Sequence, residues 1–141
     1  PPEKIVIGMP MYGRTFENTN GLDTPYNGIG SGSFEAGIYD YKVLPREGAT
    51  EYYDEEYVAG YSYDPKSKEF VTYDTPRVIA EKVKYIKEKN LNGIMFWELS
   101  NDLSTGNTRS LLSTAYDSLG GLKNLDDSYN HLNFPSSAYD N

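Results

Sequence analysis

The sequence predicts an α/β fold in which two strand–helix units of a parallel sheet carry a small antiparallel α+β module inserted after the first strand. Three observations lead there. Ile5-Val6-Ile7-Gly8-Met9-Pro10-Met11 and Gly93-Ile94-Met95-Phe96-Trp97-Glu98-Leu99 are short apolar runs, the pattern of strands covered on both faces. Two stretches with helical spacing of apolar residues occur, one before the second run and one after it. The segment between the first run and the first helix has a different texture, rich in aromatics and turn residues.

Taken in order, the first strand is expected to end near Tyr12-Gly13-Arg14. From Glu17 to Ser33 the chain is rich in Asn, Gly, Thr, Pro and Ser, with Asn27-Gly28 and Gly30-Ser31-Gly32 as turn signals. This reads as a long surface loop, and loops of that length in compact domains tend to serve function. Short aromatic-rich segments follow from Phe34 to Tyr73. Among them Tyr57–Tyr63 and Glu69–Tyr73 flank Asp64-Pro65-Lys66-Ser67-Lys68 and read as an antiparallel hairpin. Thr75 is an N-cap before Pro76 at the first helical position, Ile79, Val83 and Ile86 share one face, and Asn90 closes the helix. The second strand ends in the polar turn Ser100-Asn101-Asp102. Leu111, Leu112, Ala115, Tyr116 and Leu119 mark a second helix, stopped by Gly120-Gly121. The polar tail beyond is expected to lie extended on the surface.

Composition narrows the function. A chain of 141 residues, 38% apolar and 24% charged, has the material for one ordinary domain with a core. No stretch approaches the roughly 18 consecutive apolar residues of a membrane-spanning helix, so a membrane is not expected as a partner. Pro1-Pro2-Glu3-Lys4 leads straight into an apolar run without a signal-peptide pattern, which reads as an interior start. A formal charge of -8 repels polyanions at long range, so nucleic acid is a poor partner and a neutral ligand a better one. The absence of cysteine excludes disulfides, thiol catalysis and cysteine-ligated metal. Fourteen tyrosines and one tryptophan suit surfaces that stack on sugar rings, although tyrosine serves exposed strands equally well.

Two strand–helix units cannot bury a parallel sheet alone. In a (β/α)8 barrel, which needs about 250 residues, active groups project from the C-terminal ends of the strands. Both strand ends here carry unusual residues: Tyr12 and Arg14 on one, Trp97 and Glu98 on the other. Met95 lies two residues before Trp97 and so points to the same side, as Tyr12 and Arg14 share a side. Alternation sends Glu98 the other way unless the strand has already ended. Plainer readings stand beside these: Arg14 pairs with a carboxylate at a rim, and Trp97 is a core residue.

At these positions the chain resembles family 18 glycoside hydrolases. Gly8-Met9-Pro10-Met11-Tyr12-Gly13-Arg14-Thr15-Phe16 is similar to their seventh barrel strand, and Gly93-Ile94-Met95-Phe96-Trp97-Glu98 to their eighth. The segment between resembles the chitinase insertion domain. Gly37-Ile38-Tyr39-Asp40-Tyr41-Lys42, Gly48-Ala49-Thr50-Glu51, Tyr61-Ser62-Tyr63-Asp64 and the tail from Leu132 through Asn141 resemble the fungal, bacterial-type branch of chitinases. The resemblance implies the C-terminal part of a (β/α)8 TIM barrel: strand 7 in residues 1–16, a loop and α+β insertion in 17–74, helix 7, strand 8 and helix 8 in 75–121, and a surface tail in 122–141.

It also implies a function. The family cleaves β-1,4-linked N-acetylglucosamine polymers by a retaining mechanism in which the substrate's own 2-acetamido oxygen attacks the anomeric carbon. Trp97 resembles the floor of the subsite next to the scissile bond, supported by Met95. Tyr12 and Arg14 resemble the pair that lines the cleft, and Glu98 adjoins it. The implied partners are chitin and chito-oligosaccharides, the implied parent an extracellular, monomeric endo-type chitinase without metal or cofactor. The family's general acid is the glutamate of a D-x-x-D-x-D-x-E motif, and no such spacing occurs here; neither Asp54-Glu55-Glu56 nor Asp126-Asp127 fits it. The sixth-strand tyrosine and aspartate that hold the acetamido group are also absent. The expectation is a segment with cleft residues and no acid, inactive alone. The competing readings are a lectin-like relative that binds without hydrolysis and a free-standing binding module built on the insertion.

Overall fold

The computed structural model describes residues 1–129, 135, 136 and 138. Two sheets are present among them. β1 (Val6–Pro10) and β7 (Gly93–Trp97) form a parallel pair in which Gly8 stands opposite Met95 and Pro10 opposite Trp97. β2 (Tyr12–Phe16), β3 (Ile38–Asp40), β4 (Thr50–Asp54), β5 (Ala59–Asp64) and β6 (Glu69–Thr72) form an antiparallel sheet in the order β3-β2-β6-β5-β4. Helices α1 (Pro76–Lys89) and α2 (Leu111–Leu119) pack on each other.

The strand expected to run to Tyr12-Gly13-Arg14 divides one residue earlier. Residues 12–16 pair with β3 and β6 rather than with β7. Met11 makes the division: its N–H donates to the Trp97 carbonyl at 2.8 Å, and its own carbonyl accepts from the Tyr41 N–H at 3.0 Å. One buried residue is thus bonded both to β7 and to the 3-10 turn that follows β3, and the backbone changes partners without a loop.

The local signals act as expected in α1. The Thr75 side chain accepts from Val78 N–H, Pro76 opens the helix where its missing donor costs nothing, and Asn90 ends it in the left-handed region at φ 53°. Val78, Ile79, Val83 and Ile86 are buried, each contributing about 1.5–3 kcal/mol of apolar burial. The β5–β6 hairpin turns around Asp64, whose carboxylate accepts from Lys66 N–H at 2.9 Å and from the Ser67 hydroxyl at 2.7 Å. Asp54 does the same at the β4–β5 turn, accepting from Glu56 and Tyr57 N–H groups.

One core joins both sheets and both helices: Met9, Met11, Tyr39, Tyr41, Leu44, Val71, Tyr73, Ile79, Val83, Ile86, Leu111 and Ala115. It covers only one face of the parallel pair. Ile7, Met9, Ile94 and Phe96 face the helices, while Val6, Met95 and Trp97 are exposed on the other. The apolar runs of β1 and β7 therefore differ from the expectation of burial on both faces, because nothing among the described residues covers the second.

Among the described residues no helix is long and apolar enough to cross a membrane. Residues 122–124 form a 3-10 turn with Leu122 exposed, where an extended tail was expected. The tail motif from Leu132 through Asn141 lies almost wholly outside the described residues.

Candidate functional site

Tyr12, Arg14, Trp97 and Glu98 line one cavity of about 430 Å³, together with Phe34, Glu35, Ile38, Asp40 and Asn101. The two sheets meet there. On β2, Gly13 and Thr15 turn inward and are buried, so Tyr12 and Arg14 face out. Gly13 is required by its surroundings: a Cβ there would lie 2.8 Å from both the Leu44 and Val71 methyls. Register then sets Asp40 beside Tyr12 and Ile38 beside Arg14. The Arg14 guanidinium carbon lies 6.0 Å from the Tyr12 ring centroid, and Arg14 makes no ion pair among the described residues.

Trp97 is 66% exposed, so within this chain it is not a core side chain. Glu98 lines the same cavity because β7 ends at Trp97 and strict alternation ends with it. The Trp97–Glu98 peptide is cis. Glu98 accepts a hydrogen bond from the Ser100 hydroxyl, whose carbonyl in turn accepts from Lys42 at 2.8 Å. Met95 lies on the open face with Trp97 but does not line the cavity.

Behind the cavity, Asp102 fixes the segment that follows β7. Its carboxylate accepts from Leu111 N–H and Leu112 N–H, both at 3.0 Å, and from the Ser110 hydroxyl, which caps α2 with an anion at its positive end. Tyr12 and Arg14 also border a second cavity of about 300 Å³, where Asp74 is paired with Lys82. Burial pushes the Asp74 carboxyl up and the lysine draws it part of the way back.

A second polar network ties the antiparallel sheet to α2. Arg109 donates two hydrogen bonds to Glu51, at 3.1 and 2.7 Å, Tyr73 donates to the same carboxylate at 2.7 Å, and Tyr41 donates to the Arg109 carbonyl at 2.8 Å. Burial alone would raise the Glu51 carboxyl, but the bonds from Arg109 and Tyr73 hold it below its ordinary value. Burial pushes the Tyr41 hydroxyl up to about 12.

Sequence reasoning singled out neither this network nor Phe34, Glu35, Ile38, Asp40 and Asn101 as cavity residues. Loop length pointed to residues 17–33, whereas the cavity takes the turn just after them. Among the described residues no cluster of three or more His, Asp or Glu side chains is placed to hold a metal ion. The cavity can present an aromatic face, one cation, three carboxylates and an amide to a neutral polar ligand.

Known proteins are similar to this chain in sequence and in fold. Chitinase 1 of Aphanocladium album is 50% identical over all 141 residues, which are 32% of its length. Endochitinase 1 of Metarhizium robertsii is also 50% identical, with the same coverage. The chain therefore spans about a third of the length of these curated relatives. Among solved structures, chitinase ChiA74 from Bacillus thuringiensis superposes with a TM-score of 0.75 at 29% identity, covering 91% of this chain and 25% of that one. A plant class V chitinase mutant from Cycas revoluta, in complex with (GlcNAc)3, matches with a TM-score of 0.70 at 33% identity, covering 85% of this chain and 35% of that one. The family model for glycosyl hydrolases family 18 matches residues 1–102, and the chain belongs to that family.

Proposed function

We propose that this chain is part of a longer, secreted, monomeric endo-type chitinase that hydrolyses β-1,4 linkages between N-acetylglucosamine units. Its β1 is barrel strand 7, β7 is strand 8, and the antiparallel sheet is the insertion between them. The observation that carries the reading is the exposed Trp97 ring sharing one cavity with Tyr12, Arg14 and Glu98 at the C-terminal ends of two parallel strands. The names of the curated relatives support it, as does the (GlcNAc)3 complex of the Cycas revoluta enzyme.

In this reading Trp97 stacks on the apolar face of the sugar beside the scissile bond, and Met95 supports it from the same strand face. The planar Arg14 guanidinium and the Tyr12 hydroxyl hold sugar oxygens in fixed directions. Glu98 accepts from a hydroxyl or amide at the cavity edge. The proton donor to the leaving oxygen is a glutamate of the D-x-x-D-x-D-x-E motif in the part of the protein beyond this chain, acting while the substrate's acetamido oxygen attacks the anomeric carbon. This chain binds and orients; it does not supply the acid.

Trp97→Ala in the complete protein tests the reading. Binding of chito-oligosaccharides is expected to weaken by about 1 kcal/mol or more, with little change in melting temperature. Unchanged binding with a collapsed melting temperature would make Trp97 a core residue and overturn the assignment.

A further inference from the structure

We propose that Lys42 is a positioning residue of the cleft: it holds the Asp40 carboxylate and the Ser100 carbonyl together, and so sets the aim of Glu98 at the ligand. The inference rests on the functional reading above, in which Glu98 accepts from the sugar, and adds to it the device that places that acceptor.

Two 3-10 turns are tied together beside the cavity. One, Tyr41–Val43, follows β3, and the other, Leu99–Asn101, follows β7. Lys42 Nζ stands 3.1 Å from Asp40 Oδ2 and donates to the Ser100 carbonyl at 2.8 Å. The Ser100 hydroxyl donates in turn to Glu98 Oε1. Asp40, Glu98 and Asn101 line the cavity, whereas Lys42 and Ser100 do not. The ammonium therefore acts on groups that face the ligand without facing it itself. Among the described residues it supplies the one hydrogen bond that reaches the 99–101 turn from the antiparallel-sheet side.

Stability is not what this contact supplies. The Lys42 side chain is 42% exposed, and ion pairs that open to solvent add little to folding. Its geometry has another use. An ammonium carries three donors, and here one points to Asp40, which stands opposite Tyr12 on β2, while another crosses to the turn beyond Trp97. The backbone bond of Met11 ties the seam at Trp97, but β7 ends there, so no strand ladder directs Glu98. Its direction is set by Ser100, and Ser100 is held by Lys42. Charge acts in the same sense. Asp40 and Glu98 are like charges lining one cavity, and the ammonium beside Asp40 offsets the repulsion between them. An acceptor fixed in direction before the ligand arrives costs less ordering on binding.

The test is a double-mutant cycle in the complete protein, read as kcat/KM on N-acetylglucosamine oligomers. Lys42→Met keeps the stem and removes the donors, and is expected to lower kcat/KM by about three- to tenfold, the effect of one lost hydrogen bond from a charged group. The melting temperature should hardly move. Lys42→Arg, which can still bridge a carboxylate and a carbonyl, should restore most of the loss. In a Glu98→Ala background Lys42→Met should cost nothing further, because no acceptor is left to aim. Losses that simply multiply in the double variant would overturn the proposal, since Lys42 would then act without Glu98. So would unchanged kinetics in Lys42→Met, or a loss that Lys42→Arg shares together with a lowered melting temperature. Trp97→Ala run in parallel separates the two readings. If Trp97 matters and the coupling of Lys42 to Glu98 is absent, only the positioning role fails; if neither Trp97 nor Glu98 matters, the cleft itself is misassigned.

Discussion

The two sheets of this chain are finished to different degrees. The antiparallel sheet has four inter-strand pairings among five strands, its turns are closed by Asp54 and Asp64, and its inward face is buried by Tyr39, Tyr41, Val71 and Tyr73. Among the described residues the parallel pair has a single pairing, two open edges and one uncovered apolar face. The difference teaches that contiguous sequence and self-sufficiency are separate properties. The antiparallel sheet carries its own partners, while the apolar pattern of β1 and β7 suits neighbours that the described residues do not supply.

The largest effect expected from that contrast concerns the chain by itself. The purified 141-residue chain is expected to show no turnover of chito-oligosaccharides, because the acid motif is absent from its sequence. It is also expected to associate through the open strands, with amide exchange in β1 and β7 far faster than in β5 and β6. Authentic turnover would sink the placement of the chemistry elsewhere. Uniform exchange protection in a monomer that unfolds in one sharp transition would erase the distinction between the sheets.

A smaller effect probes the seam between them. Glu51→Gln keeps the shape but removes the charge that Arg109 grips with two hydrogen bonds, and a loss of about 1–3 kcal/mol is expected in chemical denaturation of the complete protein. The pH dependence has a definite sign. Because Glu51 is held below its ordinary value of 4.5, its contribution is present above that pH and is lost as the pH falls through the lowered folded value. The parent should therefore lose stability more steeply than Glu51→Gln under acid conditions. Parallel curves would show that the network adds nothing to the joining of sheet and α2.

The smallest expected effect is at the cleft wall. Arg14→Lys preserves the charge but not the planar fork, and kcat/KM on chito-oligosaccharides is expected to fall severalfold, or about 1 kcal/mol of transition-state stabilisation. Kinetics indistinguishable from the parent would return Arg14 to a structural role at the rim.

Much of the architecture was legible because its signals are local. Thr75-Pro76 and Asn90 bound α1 as read, Gly120 ends α2, and the β5–β6 hairpin turns at Asp64. The family resemblance was carried by two strand motifs. What escaped was nonlocal. No breaker separates Met11 from Tyr12, so the change of sheet depends on which groups offer hydrogen bonds, and these come from Tyr41 and Trp97. Glu51 and Arg109 are 58 positions apart and carry no shared pattern. Phe34 looked like the start of a strand-rich segment, and only its solvent exposure and cavity position distinguish it.

Met11 also has a mechanical meaning. The Trp97 carbonyl accepts from the N–H of Met11, the residue that directly precedes Tyr12, so the Trp97 and Tyr12 sides of the cavity are separated by one peptide unit and one backbone hydrogen bond. Domain closures elsewhere act through a few residues that absorb large dihedral changes. Here such a residue would have to break its bonds to β7 and to the turn after β3 to move. The spacing between the Tyr12 and Trp97 sides of the cavity is therefore held by the backbone itself, and any movement that widens it has to arise outside this seam.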